Sequence, residues 1–188
     1  MFLNNIQLIS WKDTNEEKTH VYKKEILSQS IIGDIKCDFL ELSNYENSKQ
    51  LYLFSKQIDF KEHGSHNISV GYFLENGEIN TRIRPKIHCF FPTKDTLNLP
   101  IVMYAPFLLT DSRQNIKENE EINKYLIKEL SILAAEALPL LRDIGIENKK
   151  TLINENILDI VPLSETNRYH WYSNKETETI LLNLDLFV

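Results

Sequence analysis

The chain is short of cysteine and glycine, and each shortage excludes a class of functional site. Only two cysteines, Cys37 and Cys89, occur among 188 residues. They lie far apart, and neither belongs to a C-x-x-C pair or to a cysteine and histidine cluster with metal-ligand spacing. We interpret both as buried, reduced thiols. The five glycines are widely separated, which excludes a P-loop and a dinucleotide-binding fingerprint, so the chain alone has no familiar glycine-rich loop for a triphosphate.

Positive charge and long apolar runs are also scarce. Lysine and arginine total 21 against 27 acidic residues, giving a net charge of -6. Nucleic acids and anionic membrane surfaces are bound through clustered basic residues, so this balance argues against both partners. No apolar run approaches the length of a membrane span, and the first residues lack the pattern of a signal peptide. The composition therefore predicts a cytoplasmic protein.

Recognisable catalytic and metal-binding motifs are missing as well. No G-x-S-x-G or comparable nucleophile motif is present. His63 and His66 are the only close pair of histidines, and no acidic or cysteine ligand accompanies them in a known pattern. We interpret them as part of a solvent-exposed loop and expect no metal site. A free-standing enzyme would need a catalytic constellation that the sequence does not display.

Alternating apolar residues dominate the first half of the chain and predict β-strands. Asn76-Gly77 is typical of a type I′ turn and predicts a hairpin around it. A further turn is expected at residues 92–95. The predicted strands cover residues 2–11, 19–27, 31–42, 51–60, 68–74, 79–91 and 99–107, and the first of them is expected to be buried on much of both faces.

The second half changes to a helical period from about Asn119, with apolar residues at three- and four-residue steps. Gly145 is the expected stop signal. A shorter helix is expected at residues 149–161 and a terminal strand at residues 179–188. Because strands come first and helices later, we predict an α+β sandwich, in which a mixed β-sheet with hairpins is covered by one long and one shorter helix.

Arg113 is the candidate functional residue, because it lies in residues 105–117, where an apolar segment turns toward the long helix. A helix N-terminus leaves backbone N–H groups unsatisfied and can receive an anion, and an arginine there could stabilise charge on a phosphoryl group. The alternative is that Asp111-x-x-Gln114 caps the helix and Arg113 is simply solvated.

Several short motifs occur in a fixed order. They are Phe90-Phe91-Pro92-Thr93, Tyr104-Ala105-Pro106-Phe107, Thr110-x-Ser112-Arg113-x-x-Ile116 and Pro139-Leu140-Leu141-Arg142-Asp143. This series resembles the sacsin-type and bacterial ATPases related to the ninety-kilodalton heat-shock chaperone, within the GHKL superfamily. The opening Phe2-Leu3-Asn4-Asn5-Ile6 resembles the segment that follows their ATP-binding domain. The resemblance covers roughly the first 160 residues.

The resemblance implies a middle, or transducer, domain of αβ type. In that family the middle domain presents an arginine loop to the terminal phosphate of a nucleotide. Arg113 would be that catalytic arginine, with Ser112 and Gln114 as flanking cofactor-binding residues. Gln114 is neutral where the family pattern has an acidic residue. The implied cofactor is ATP with Mg, bound mainly by a separate N-terminal domain of the same polypeptide, and a protein client is a further partner.

The ATP site of that superfamily uses an asparagine four residues after a glutamate and a D-x-G-x-G motif, and the chain contains neither. We therefore expect a fragment of a larger protein, with residues 1–163 as the transducer-like domain and residues 164–188 as an appendage. The alternative is a protein-interaction module with no nucleotide role. It would bind a partner through an exposed sheet edge or through the aromatic run from Tyr169 to Tyr172.

Overall fold

The computed structural model describes residues 6–13, 18–60, 64–96, 99–153 and 157. Several predictions lie outside these residues: the first part of the opening strand, His63, most of the shorter helix, the aromatic run, the terminal strand and the appendage at residues 164–188. Residues 149–153, which are described, are not helical.

Within the described residues a nine-stranded mixed sheet and one long helix form an α+β fold, as the sequence predicts at this level. The sheet order is β1-β2-β3-β4-β5-β9-β7-β8, with β6 paired to β5, and among the described strands only the β7–β9 pairing is parallel. The elements are β1 Leu8–Asp13, β2 Lys18–Ile32, β3 Ile35–Ser43, β4 Ser48–Asp59, β5 Ser65–Glu75, β6 Glu78–Ile79, β7 Lys86–Cys89, β8 Phe91–Thr96, β9 Val102–Tyr104 and α1 Glu121–Glu147.

Two of the hairpin turns in the first part of the sheet bear on the sequence predictions. Asn76 and Gly77 adopt positive φ angles of 55° and 87° between β5 and β6, as the type I′ prediction requires. The second turn, at Gly33 with φ 63°, shows that the single strand predicted for residues 31–42 is wrong. Gly33 and Asp34 separate β2 from β3, because a left-handed glycine reverses the chain there.

The segment after Ile79 also differs from the prediction. Within the strand predicted for residues 79–91, Ile79 alone forms a ladder pair with β5, and β7 pairs instead with β8 and β9. Residues 92–95, predicted as a turn, belong to β8. The chain reverses one step earlier, at Phe90, whose φ is 62°. The pairing of β7 with β9 joins residues that are well separated in sequence. Local turn and strand propensities therefore do not predict it.

Helix α1 covers one face of the sheet through its apolar stripe. Leu126, Leu130 and Leu133 are completely buried, and they share one core cluster with Phe54 and Tyr72 of the sheet. The Tyr72 hydroxyl donates a hydrogen bond to the Ala134 carbonyl at 2.8 Å. This bond satisfies a buried polar group and fixes the helix against β5.

The helix does not stop at Gly145 as expected. It continues to Glu147 and ends at Asn148, whose N–H bonds to the Ile144 carbonyl. Gly145 has a different role, because the chain folds back so closely that an added Cβ would lie 2.8 Å from the Lys150 carbonyl oxygen. The glycine thus marks a close backbone approach within the last turn.

Strand β1 is far more exposed than predicted. Leu8, Ile9 and Trp11 are each roughly half exposed, which contradicts the expectation that the first strand is buried on both faces. No helix among the described residues is long and apolar enough to cross a membrane.

Candidate functional site: the Arg113 loop

Residues 109–116, here named the Arg113 loop, form a closed turn at the β8 end of the sheet. Its ends meet in an antiparallel bridge between Leu109 and Ile116. Helix α1 begins later, at Glu121, and its cap residue Glu120 makes no side-chain capping bond. The predicted capping of the helix by Asp111 and Gln114 is therefore wrong. Arg113 precedes the first helical residue by eight positions and lies within a loop that closes before the helix begins.

Hydrogen bonds within the loop fix the backbone of Arg113. Its N–H donates to the Thr110 carbonyl at 2.7 Å, and the Thr110 N–H donates to the Asn115 carbonyl at 2.8 Å. The Thr110 and Ser112 hydroxyls are 3.1 Å apart. Arg113 itself adopts φ 56°, in the left-handed region that non-glycine residues rarely occupy. These bonds hold the loop in one tight conformation.

Asp95 of β8 attaches the loop to the edge of the sheet. Its carboxylate accepts hydrogen bonds from the Ile116 N–H at 2.7 Å and from the Asn115 side-chain amide at 3.0 Å. Beside it, the Lys94 N–H donates to the Gln114 carbonyl at 2.7 Å. The loop thus occupies hydrogen-bonding positions along the edge of β8.

Asn123 of α1 attaches the base of the loop to the helix. Its side-chain oxygen accepts from the Leu108 N–H at 2.9 Å, and its amide donates to the Leu108 and Lys117 carbonyls, both at 2.8 Å. Only 1% of Asn123 is exposed, so this bonded amide is sequestered from water. Buried and fully bonded polar groups of this kind specify one local geometry.

The three predicted site residues, Ser112, Arg113 and Gln114, lie together at the exposed tip of the loop. The Arg113 side chain makes no hydrogen bond or ion pair with any described residue. By contrast, Arg142 pairs with Asp143 at 2.9 Å, and Arg84 donates to the Thr81 and Ile83 carbonyls. The guanidinium of Arg113 is therefore available to an oxyanion from outside the described residues.

Arg113 can stabilise negative charge, but the described part of the loop provides no metal-binding group for a nucleotide. Asp111 is fully exposed, and its carboxylate lies 4.0 Å from the Lys117 ammonium. The described residues contain no group of three or more histidine, cysteine or acidic side chains that could hold a metal ion. The chemistry that the exposed Arg113 side chain can supply is charge stabilisation of a bound anion.

The cysteines have the properties expected of reduced thiols within the fold. Cys37 is buried and Cys89 is half-buried, and neither is in a disulfide. Burial raises the pKa of the Cys37 thiol to about 11 and also raises the pKa of Cys89, whose thiol donates to the Phe107 carbonyl. A raised pKa keeps both thiols protonated near neutrality, which lowers their reactivity.

Sequence reasoning missed Asp95 and Asn123, the two residues that hold the loop. The sequence pattern predicts a turn at Asp95, although it lies in β8. The position of Asn123 could have been recognised from the sequence, because it lies next to Ile122 at the start of the apolar stripe of α1. A polar side chain that is buried there needs a hydrogen-bond partner. The fold and the loop together define an α+β protein that presents an arginine from one end of its sheet.

Comparison with known proteins adds one similarity. The chain is 25% identical over 142 residues to Protein NO VEIN of Arabidopsis thaliana, a match that covers 73% of this chain and 5% of that protein. The chain thus spans about one-twentieth of the length of this curated relative. No family model and no solved structure matches the chain.

Proposed function

We propose that the chain is a transducer domain of a GHKL-type ATPase related to the ninety-kilodalton heat-shock chaperone. In this proposal a separate N-terminal domain holds ATP with Mg, and Arg113 contacts the terminal phosphate from outside that domain. The chain is inactive alone and couples the nucleotide state to movement or to binding of a protein client. The observation that carries the proposal is an arginine whose side chain has no partner among the described residues, in a loop held on two sides.

The backbone conformation of Arg113 supports a positioning role. A non-glycine residue in the left-handed region costs roughly 1 to 3 kcal/mol and persists only where surrounding bonds impose it. Here Asp95 and Asn123 attach the loop to the sheet and to the helix. Because the bonds already fix the backbone of Arg113, contact with a phosphate requires no ordering of the loop, and less of the charge stabilisation is offset by lost backbone entropy.

The similarity to a much longer protein is consistent with a chain that works as one part of a larger polypeptide. The matched segment of Protein NO VEIN has the size of a single domain. In the proposed arrangement, Ser112 and Gln114 flank the phosphate contact and orient the arginine. Gln114 can offer a neutral hydrogen bond in place of the ion pair that an acidic residue would make.

The test is steady-state ATP turnover by the complete ATPase that contains this chain. Arg113→Ala should lower kcat by roughly tenfold or more, as expected when a charge that acts only in the transition state is removed. Arg113→Lys should restore part of the rate. Arg82→Ala, at another exposed arginine, is the matched control and should leave turnover unchanged. Equal turnover in Arg113→Ala and the unmodified protein would overturn the proposal.

A second candidate function is a protein-interaction module without a nucleotide role, and the exposure of β1 at the sheet edge favours it. The two functions differ in their dependence on nucleotide. If this chain associates with the ATP-binding domain only when ATP is present, and Arg113→Ala abolishes that dependence, the transducer role is supported. Nucleotide-independent binding that survives Arg113→Ala would favour the interaction module.

A further inference from the structure

The two edge strands of the described sheet, β1 and β8, differ in whether other residues bond to them. At the β8 end, the Arg113 loop bonds to the strand through the Lys94 N–H and the Asp95 carboxylate. At the other end, β1 pairs only with β2 within the described part of the chain. An uncovered edge strand offers a row of N–H and C=O groups to another strand.

The direction of the β1 backbone groups follows from the pairing with β2. The Lys24 N–H donates to the Gln7 carbonyl at 2.7 Å, which makes Gln7 and Lys24 a hydrogen-bonded pair. Bonded and non-bonded pairs alternate in an antiparallel ladder. The backbone groups of Ile9 and Trp11 therefore point toward β2, and those of Leu8, Ser10 and Lys12 point outward from the sheet.

The first four residues of β1 carry no charge, and its charged residues, Lys12 and Asp13, lie together at its C-terminal end. Leu8 is 56% exposed and Trp11 is 47% exposed, and the strand contains no proline. Trp11 stacks on Tyr22 and His20 of β2, with ring centroids 5.4 and 5.0 Å apart. The stack extends an apolar face to the outer edge, where a further strand would cover it.

We propose that β1 pairs with β1 of a second copy of this chain, antiparallel across a two-fold axis at Ser10. In this register Ser10 faces Ser10 of the second copy, and Leu8 faces Lys12. All are outward-pointing positions, so each pair can exchange its two backbone hydrogen bonds. Between them Ile9 faces Trp11, which places apolar side chains opposite one another on the face of the aromatic stack.

The neighbouring symmetric registers are less complementary. An axis at Trp11 would place Ile9 opposite Asp13, and an axis at Ile9 would place Gln7 opposite Trp11. The Ser10 register pairs apolar with apolar on one face and brings no like charges directly opposite on either face. A second copy therefore fits this edge, because the same short strand supplies both the donors and the complementary side chains.

This pairing is independent of the phosphate role. The Arg113 loop lies at the opposite end of the sheet order, beside β8, so the joined sheets would leave both loops at the outer ends. The short strand predicts a weak dimer, with dissociation in about the micromolar to millimolar range.

Sedimentation velocity over that range of concentration tests the dimer. Ser10→Pro removes an outward N–H and should weaken association by roughly tenfold or more, while the bonds from β1 to β2 remain. Ser10→Ala keeps the N–H and should associate like the unmodified chain. Circular dichroism of both variants checks that the fold is retained. A chain that stays monomeric throughout, or equal association of the proline and alanine variants when both are folded, overturns the proposal.

A crosslinking experiment tests the register. In the proposed dimer the Cα atoms of the two Ser10 residues are about 5.5 Å apart, within the range that a disulfide spans. The Cα atoms of the two Lys12 residues are displaced along the strands and lie about 14 to 15 Å apart. Mild oxidation should join Ser10→Cys chains and leave Lys12→Cys chains and the unmodified chain unjoined. Preferential joining of Lys12→Cys would overturn the register.

Discussion

The carboxylate of Asp95 accepts a hydrogen bond from the backbone N–H of Ile116 at 2.7 Å, across 21 positions of sequence. The same carboxylate accepts from the Asn115 amide. Ile116 is itself buried, so this bond joins the edge of the sheet to a point where the loop enters the core. The two hydrogen bonds of Asp95 explain how the exposed Arg113 lies in a loop whose C-terminal end is fixed to the sheet.

Replacing Asp95 should loosen the loop without unfolding the domain. A hydrogen bond to a charged group contributes about 1.5 to 3 kcal/mol, so Asp95→Ala should raise the hydrogen-exchange rate of the Ile116 amide by roughly tenfold or more. Asp95→Asn keeps one oxygen acceptor and should have an intermediate effect. The measurement is amide exchange followed by NMR.

Asp111→Ala is the matched control for this prediction. Its carboxylate is exposed and makes only a 4.0 Å contact with Lys117, so its loss should not change the exchange of Ile116. The proposed function of Asp95 in holding the loop would be refuted if Asp95→Ala and Asp111→Ala exchanged at the same rate.

Asn123 should contribute strongly to stability because its amide is buried and fully bonded. Asn123→Ala leaves the Leu108 N–H without its acceptor and should lower the free energy of unfolding by about 2 to 3 kcal/mol. Asn123→Leu, which fills the space with apolar atoms, should not recover this loss, since the backbone groups remain unbonded.

Urea denaturation at fixed pH measures both Asn123 variants. Lys124→Ala, at the next and exposed position of α1, is the control and should have a midpoint near that of the unmodified chain. If Asn123→Leu were as stable as the unmodified protein, hydrogen bonding by Asn123 would not be the source of the effect.

Cys37 should make stability fall at alkaline pH. Its pKa is about 11 in the folded protein against an ordinary value of 9.0, because burial disfavours the thiolate. From pH 9 to pH 11 the unfolded chain loses this proton while the folded chain retains it, so the free energy of unfolding decreases with rising pH. Below pH 9 both states are protonated and Cys37 adds no slope.

The contribution of Cys37 is isolated by comparing the unmodified chain with Cys37→Ala. Burial also raises the pKa of Tyr52 and Tyr72, so both proteins should lose stability in strong alkali. Chemical denaturation at several pH values should give a shallower decline for Cys37→Ala. Parallel curves for the two proteins between pH 9 and pH 11 would contradict the assignment.

Features that depend only on neighbouring residues could be predicted from the sequence. The Asn76-Gly77 turn follows from the positive φ angles that these residues tolerate, and α1 follows from an apolar stripe at helical spacing. The helix begins within two residues of the predicted start at Asn119. Each of these features is specified by a few neighbouring residues, so the sequence pattern predicts it.

The order of the strands in the sheet could not be predicted from the sequence in this way. Strand β9 inserts between β5 and β7, and the region predicted as one strand over residues 79–91 is divided: Ile79 pairs with β5, whereas β7 pairs with β8 and β9. The exposure of β1 was likewise misjudged, because alternation of apolar residues indicates a strand but not which face is covered. Such choices depend on contacts between segments that are distant in sequence.

The sequence by itself determined the elements with local causes: the tight turn, the long amphipathic helix, the dominance of strands and the separation of glycines that excludes a P-loop. It also brought Ser112, Arg113 and Gln114 together, since adjacent residues share a loop whatever the fold. Only the tertiary structure decided what holds that loop. Asp95 and Asn123 reach it from a strand and from a helix, and hydrogen bonds between distant residues exist only once the sheet and the helix have packed.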